Sequence, residues 1–151
     1  MPAGCLRHSG DMDKTWMHEL ELEVRDYELD IQAIVNNAVY QNYLEHGRHK
    51  LIQMLGIDFA ALHAKGIDPV VVRAEVDYRQ SLRSGDCFVI HSRVEASGRL
   101  RFIFVQEIRR PADDALIVQA RITTATLVDG RPGPCLEIHA ALEKFHHRNA
   151  M

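Results

Sequence analysis

Hydrophobic and polar residues alternate over residues 16–25, where the patterned part of the chain begins. Leu20, Leu22 and Val24 occupy alternate positions, with glutamates between them. A period of two is typical of a strand that buries one face and exposes the other. We therefore predict a first β-strand here, followed by a loop up to about residue 36.

The hydrophobic period then becomes helical, and the apolar stripe includes the small residue Gly47. The larger residues of the stripe are Tyr40, Leu44, Leu51 and Leu55. Asn36 or Asn37 is a suitable N-cap, and Gly56 is a suitable residue to end the helix. The pattern predicts a helix of about five turns, with a broad apolar face that is buried along much of its length.

Four more strand-like segments follow a short irregular piece at residues 57–68. They read VVVRAEVDYR, CFVIHSRVEA, RFIFVQEIRR and LIVQARITTATLV, and the tail CLEIHAALEKFHH reads as a short amphipathic helix. Consecutive strands joined by hairpin-length turns form an antiparallel sheet. A long apolar helix is the natural element for that sheet to wrap. We predict an α+β fold with a five-stranded antiparallel sheet around a long central helix.

Length and charge limit the classes of protein that fit. A chain of 151 residues predicts one domain with a real core, here residues 16–148 after a flexible tail at 1–15. A net charge of −3 does not favour a nucleic-acid surface. No apolar run approaches the ~18–20 residues of a membrane helix, and the first residues lack the apolar core of a secretory signal.

The cysteines indicate an expected location. Cys5, Cys87 and Cys135 are odd in number and have no C-x-x-C spacing. This predicts no metal framework and a reducing compartment, so the cytoplasm is the expected location.

A lone aspartate, Asp30, stands between apolar neighbours in the loop before the helix. Leu29 and Ile31 flank it. A carboxylate in this position is either a capping or surface group, or an acid/base group held where water is scarce. The hydrophobic pattern alone leaves both interpretations open.

Three segments between residues 20 and 128 carry a pattern of their own. They read LDIQAIVNNAVYQNYLEHGR, VVRAEVDYRQSLRSGD and SGRLRFIFVQEI. In order and separation they resemble the hotdog fold, and in particular the 4-hydroxybenzoyl-CoA thioesterase-like branch of acyl-CoA thioesterases. The chain departs from the family pattern at Ala33, usually Gly, and at Ser81, commonly Pro. Some relatives have Asp-x-Asn-x-His in this loop, where this chain has Gln32 and Ile34. This difference argues against a His-assisted mechanism.

The resemblance implies an enzyme that hydrolyses acyl-CoA thioesters to free acid and CoA. It places the catalytic carboxylate on Asp30, as general base or nucleophile. It places the oxyanion amide on Asn37, with Ala38 beside it at the helix start. The alternative for Asp30 is a cap of the turn at Ala33 or Ile34.

Three helix residues are candidate substrate contacts. Tyr40 and Tyr43 are placed to line an acyl pocket, although aromatic residues at helical spacing equally predict plain core. Glu45 resembles the helix carboxylate that is catalytic in some hotdog thioesterases. Its spacing to Arg48 and His49 also predicts a surface ion pair, so a structural role is the alternative.

Arg99 and Arg101 flank the SGRLR turn, where the family tends to have basic residues for the phosphates of CoA. The alternative is a solvated surface. The resemblance implies a small-molecule acyl-CoA substrate and no metal or tightly bound cofactor. The net charge and the lack of a long apolar run predict no nucleic-acid or membrane partner. The resemblance also implies a homodimer or homotetramer, because relatives join exposed strand edges. The other functions considered are an acyl-carrier-protein thioesterase and a non-catalytic acyl-CoA-binding module.

Overall fold

The structure is a computed structural model that describes residues 16–149, so the tail predicted at 1–15 lies outside the described residues. The strands are β1 His18–Glu23, β2 Ile67–Tyr78, β3 Cys87–Ser97, β4 Arg101–Arg110, β5 Ala115–Val128 and β6 Arg131–Pro132, and the helices are α1 Asn37–Met54, α2 Phe59–Ala64 and α3 Leu136–Asn149, with a 3₁₀ turn at Asp26–Glu28. Among the described residues, no helix is both long and apolar enough to cross a membrane.

The strands form one antiparallel sheet in the order β1-β3-β4-β5-β2, and the two-residue β6 pairs with β5. Tight turns join β3, β4 and β5, as the sequence pattern predicts. The predicted hairpin between β2 and β3 is wrong, because β2 pairs with β5 and β3 pairs with β1 and β4. The inward faces of these strands and the apolar face of α1 share one hydrophobic core. The predicted α+β architecture is confirmed.

The long helix begins and ends as predicted. The side chain of Asn36 accepts the backbone N–H of Ala38 at 2.9 Å and caps the helix, and Gly56 follows its C-terminus with φ +86°. Gly47 faces the sheet, where a Cβ would lie 2.8 Å from Cγ2 of Ile90 and 3.1 Å from Nε2 of Gln106. The helix therefore touches the sheet at a point where a side chain does not fit.

The prediction that residues 57–68 are irregular is wrong. Residues 57–68 contain the helix α2, which the side chain of Asp58 caps by accepting the N–H of Ala60 at 2.9 Å. Leu62 is the buried residue of this helix and belongs to the hydrophobic core. Six residues are too few for a hydrophobic period to be visible in the sequence.

Cys135 lies in the hydrophobic core as a buried free thiol, and burial raises its pKa.

Strand β2 forms one edge of the sheet and exposes apolar side chains. Val70, Val71, Val72 and Tyr78 are 37%, 50%, 49% and 44% exposed. Among residues 16–149, β2 pairs only with β5. A twelve-residue edge strand with a run of exposed valines is a surface that natural proteins usually cover.

Candidate active site

Asp30 lies in a tight turn between the 3₁₀ turn and α1. Its backbone N–H donates to the carbonyl of Ile34 at 2.8 Å, and its carbonyl accepts the N–H of Ala33 at 3.0 Å. Its side-chain Oδ1 accepts the N–H of Gln32 at 2.8 Å and that of Ile34 at 3.4 Å. These contacts cap the turn, which is the alternative role predicted for Asp30.

The second carboxylate oxygen of Asp30 remains available. Within residues 16–149, Oδ2 accepts no hydrogen bond, and the side chain is half-buried. Backbone donors thus fix one oxygen, and the other is left for a water molecule or a substrate. The capping role and a chemical role are compatible because they use different oxygens.

Ala33 gives the turn its shape. Its φ is +63°, in the left-handed region where a Cβ is unfavourable and glycine is usual. The family pattern usually has Gly at this position, and the turn forms here with alanine.

The start of α1 offers one free backbone donor. The Ala38 N–H is held by the side chain of Asn36, and the Val39 N–H donates to the carbonyl of Asn36 at 2.9 Å. The N–H of Asn37 donates to no acceptor in the described part of the chain. Asn37 therefore has the free amide expected of an oxyanion site, whereas the Ala38 amide is occupied while this cap is in place.

The Asp30 turn and the helix start form one connected unit. Leu29 and Val35 form an isolated antiparallel bridge across the turn. The N–H of Asn36 donates to the carbonyl of Glu28 at 3.1 Å, and the N–H of Val35 donates to the carbonyl of Leu82 at 2.9 Å. The bridge and the Asn36–Glu28 bond hold the segment that carries Asp30 against the start of α1, and the Val35 bond attaches it to the loop before β3.

Glu28 is a buried carboxylate that the sequence pattern does not indicate. It is 6% exposed. Its Oε1 accepts the Tyr43 hydroxyl at 2.7 Å and the Arg25 N–H at 2.8 Å, and its Oε2 accepts Nη2 of Arg25 at 2.9 Å. Burial opposes ionisation, but these hydrogen bonds outweigh it and lower the pKa of Glu28. The available signal was the spacing of Arg25 and Glu28 just before the helix, which suits an i, i+3 pair.

The two candidate tyrosines belong to the core. Both are buried. The Tyr40 hydroxyl accepts the N–H of Leu82 at 2.9 Å, and the Tyr43 hydroxyl donates to Glu28. Burial raises the pKa of both hydroxyls. Within one subunit these contacts match the core alternative for Tyr40 and Tyr43.

A cavity of about 1040 Å³ lies between the second half of α1, α2 and the sheet. Glu45, which is exposed, and the half-buried Arg48 stand at its side, and Phe102 and Phe104 form an apolar wall. Nη1 of Arg48 donates to Oε1 of Gln106 at 3.2 Å, and burial lowers the pKa of Arg48. Neither Asp30 nor the start of α1 lines this cavity, so the candidate carboxylate and the large cavity are separate in this chain.

Arg99 and Arg101 are exposed at the turn between β3 and β4. The ring of His139 lies 3.0 Å from the carbonyl of Arg99, which places α3 beside the turn. Neither guanidinium forms an ion pair with another residue in the range 16–149. Both are accessible to an anionic partner.

Comparison with known proteins identifies the family. The model of the Thioesterase-like superfamily matches residues 24–135. The chain is 35% identical to the acyl-acyl carrier protein thioesterase ATL2, chloroplastic, of Arabidopsis thaliana, over 88% of this chain and 70% of that protein. It is 32% identical to the putative acyl-CoA thioesterase YneP of Bacillus subtilis, over 64% of this chain and 70% of that protein.

Similarity to a solved structure independently supports the assignment of the fold. The crystal structure of a 1,4-dihydroxy-2-naphthoyl-CoA thioesterase from Synechocystis matches with a TM-score of 0.77 at 14% identity, covering 82% of this chain and 93% of that chain. The helix wrapped by an antiparallel sheet is the hotdog fold, as predicted. The chain belongs to the Thioesterase-like superfamily. It is a thioester hydrolase, which confirms the predicted enzyme class.

Proposed function

We propose that the protein hydrolyses acyl thioesters with the carboxylate of Asp30 and the backbone amide of Asn37. The observation that carries the proposal is the Asp30 turn. It fixes one carboxylate oxygen, leaves the other available, and leads through Val35 and the N-cap Asn36 into the helix whose first N–H is free. The positive end of the helix dipole adds to the stabilisation of a developing oxyanion.

The chemistry needs few groups. As general base, Asp30 takes a proton from water while the water oxygen attacks the thioester carbonyl. The carbonyl oxygen becomes an oxyanion that accepts the Asn37 N–H. The tetrahedral intermediate then expels a thiolate, which is a good leaving group because alkyl thiols have a pKa of roughly 8–9. Direct attack by Asp30, giving an anhydride that water hydrolyses, is the second route. Neither route requires a metal or a tightly bound cofactor.

The active unit is proposed to be a dimer or a dimer of dimers joined through β2. The exposed valines of this edge and its free backbone groups support the assembly. Two β2 strands that pair antiparallel about a two-fold axis place the Tyr78 end of one strand beside the Ile67 end of the other.

This pairing also supports a shared site. Tyr78 lies beside the first half of α1, since Nε2 of Gln41 donates to its hydroxyl at 3.4 Å. Asp68, at the other end of β2, lines the large cavity. In an antiparallel dimer the cavity of each subunit therefore approaches the Asp30 end of its partner. We assign the acyl group to this cavity, whose wall includes Phe102 and Phe104. Glu45 is assigned to the rim of the same cavity.

The thiol carrier is CoA in the principal proposal, with the phosphates bound by Arg99 and Arg101. Acyl-carrier protein is the second candidate, because ATL2, named for that substrate, matches a larger share of this chain than YneP does. In that case the same basic turn contacts an acidic carrier surface. ATL2 is also named chloroplastic, whereas the cytoplasm remains our prediction for this chain.

One substrate panel tests the proposed function. The same octanoyl group is presented on CoA, on acyl-carrier protein and on N-acetylcysteamine, and release of free thiol is followed. Hydrolysis that is fastest with CoA supports the principal proposal, and hydrolysis that is fastest with the carrier protein supports the second. Binding of octanoyl-CoA without thiol release from any substrate would instead identify a non-catalytic module and overturn the proposal.

A further inference from the structure

Glu28 lies two residues before Asp30 and takes no part in the reaction proposed above. Its carboxylate accepts hydrogen bonds from the Tyr43 hydroxyl, the Arg25 N–H and the Arg25 guanidinium. It is almost fully removed from water. An ionised group that is buried and held by several donors has little freedom to move.

Glu28 joins the Asp30 segment to α1 at two separate points. Its backbone carbonyl accepts the N–H of Asn36, the N-cap, and its side chain accepts the Tyr43 hydroxyl. Seven residues separate these two contacts, which corresponds to about 10 Å along a helix axis. Two contacts this far apart fix the orientation of the segment against the helix as well as its position.

Asp30 is separated from the doubly attached Glu28 by one residue, Leu29. The Leu29–Val35 bridge continues from Glu28 into the turn, and Asp30 is the next residue. A shift of Glu28 is therefore transmitted to the Asp30 carboxylate through two backbone units. In hydrolysis, a misplacement of about 1 Å is enough to lower a rate about 100-fold.

We propose that Glu28 is a positioning residue, which holds the Asp30 carboxylate in register with the Asn37 amide through its hydrogen bond from Tyr43. This inference rests on the proposed function, since it assigns Glu28 a role through Asp30. The competing interpretation is that Glu28 and Tyr43 only stabilise the fold. That interpretation predicts a loss of stability with an unchanged kcat in the folded fraction.

The first experiment measures kcat and KM of Tyr43→Phe and Glu28→Gln on octanoyl-CoA or octanoyl-carrier protein, whichever the wild type hydrolyses faster. Tyr43→Phe removes one hydroxyl and keeps the aromatic ring in the core. We expect kcat to fall about tenfold or more in both variants, with KM changed by less than about twofold. Asp113→Asn, which weakens an exposed ion pair to Arg110, is the control and is expected to keep the wild-type kcat.

The second experiment places Tyr43→Phe in an Asp30→Asn background. If Tyr43 and Glu28 act through Asp30, the second substitution leaves the residual rate unchanged, because there is no catalytic carboxylate left to position. The same fold loss in both backgrounds, or an unchanged kcat in both single variants, would overturn the inference. Failure of the proposed function is distinguished by Asp30→Asn alone, which would then turn over like the wild type.

Discussion

The hydroxyl of Tyr43, in the second turn of α1, donates a 2.7 Å hydrogen bond to Oε1 of Glu28 in the preceding 3₁₀ turn. The bond links the segment that carries Asp30 to the body of the long helix. It also holds an ionised carboxylate that is 6% exposed, and a buried ionised group is costly unless its donors are retained. Stability in acid should therefore depend on Glu28.

We predict that Glu28→Gln removes part of the acid sensitivity of the fold. The folded-state pKa of Glu28 lies below its ordinary value of 4.5. A lowered carboxylate pKa stabilises the fold above that ordinary value, and the contribution is lost as pH falls through the folded-state pKa. At pH 7 the variant should be less stable than the wild type by about 1–2 kcal/mol, and the difference should shrink below about pH 4.5.

Urea denaturation at several pH values between 3 and 7 measures this difference. Tyr43→Phe provides a second comparison, since it keeps the carboxylate and removes one of its donors, and it should lose part of the pH dependence. Parallel stability curves for Glu28→Gln and the wild type over the whole range would contradict the account.

Ala33→Gly should stabilise the protein. Alanine at φ +63° carries a Cβ penalty of about 1–2 kcal/mol, part of which is offset because glycine gains more freedom in the unfolded chain. The expected net gain is about 0.5–1 kcal/mol by denaturant unfolding. Ala140→Gly, in the exposed interior of α3, is the matched control and should lose about 0.5–1 kcal/mol. Equal losses in the two variants would show that the turn does not favour glycine.

The proposed β2 dimer predicts that Val72→Lys weakens subunit association. Val72 is 49% exposed on the β2 edge, and a lysine there opposes edge-to-edge pairing. Light scattering should show a smaller particle than the wild type, and kcat/KM should fall because each site lacks the cavity of its partner. Leu136→Lys changes another exposed apolar residue, at 68%, and should retain assembly and activity. A Val72→Lys protein that is dissociated and fully active would contradict the proposal of a shared site.

Arg99→Ala should raise KM for CoA esters about three- to tenfold, the scale of one exposed phosphate contact. Hydrolysis of the N-acetylcysteamine thioester, which has no phosphate, should be unaffected. An increase confined to the acyl-carrier-protein substrate would assign Arg99 to the carrier surface. Equal effects on all three substrates would remove an anion-binding role for Arg99.

The long helix and the sheet were predictable because their signals are local and repeated. The stripe that includes Leu44 and Leu51 spans several turns, and Asn36 and Gly56 mark the ends where the structure has them. The helix α2 was missed because six residues contain less than two turns, and its main signal, Asp58, is a single capping residue.

The candidate site was only partly predictable. Asp30 and Asn37 follow from the family resemblance, and their roles remain predictions. Glu28 was missed because it stands in the polar run RDYELD, where a glutamate usually faces solvent. Its burial is decided by Tyr43, fifteen residues later, and no local pattern shows that the two side chains meet.

The kcat of Asp30→Asn tests the central claim most directly. Asparagine keeps an oxygen that can accept the Gln32 N–H, so the turn should persist, and the unfolding midpoint provides the check that it does. The substitution removes the negative charge and replaces the basic oxygen by an amide NH2, which cannot accept a proton from water. We predict that kcat on the preferred acyl thioester falls at least ~100-fold. A folded Asp30→Asn protein that hydrolyses the same substrate at the wild-type rate would contradict the account.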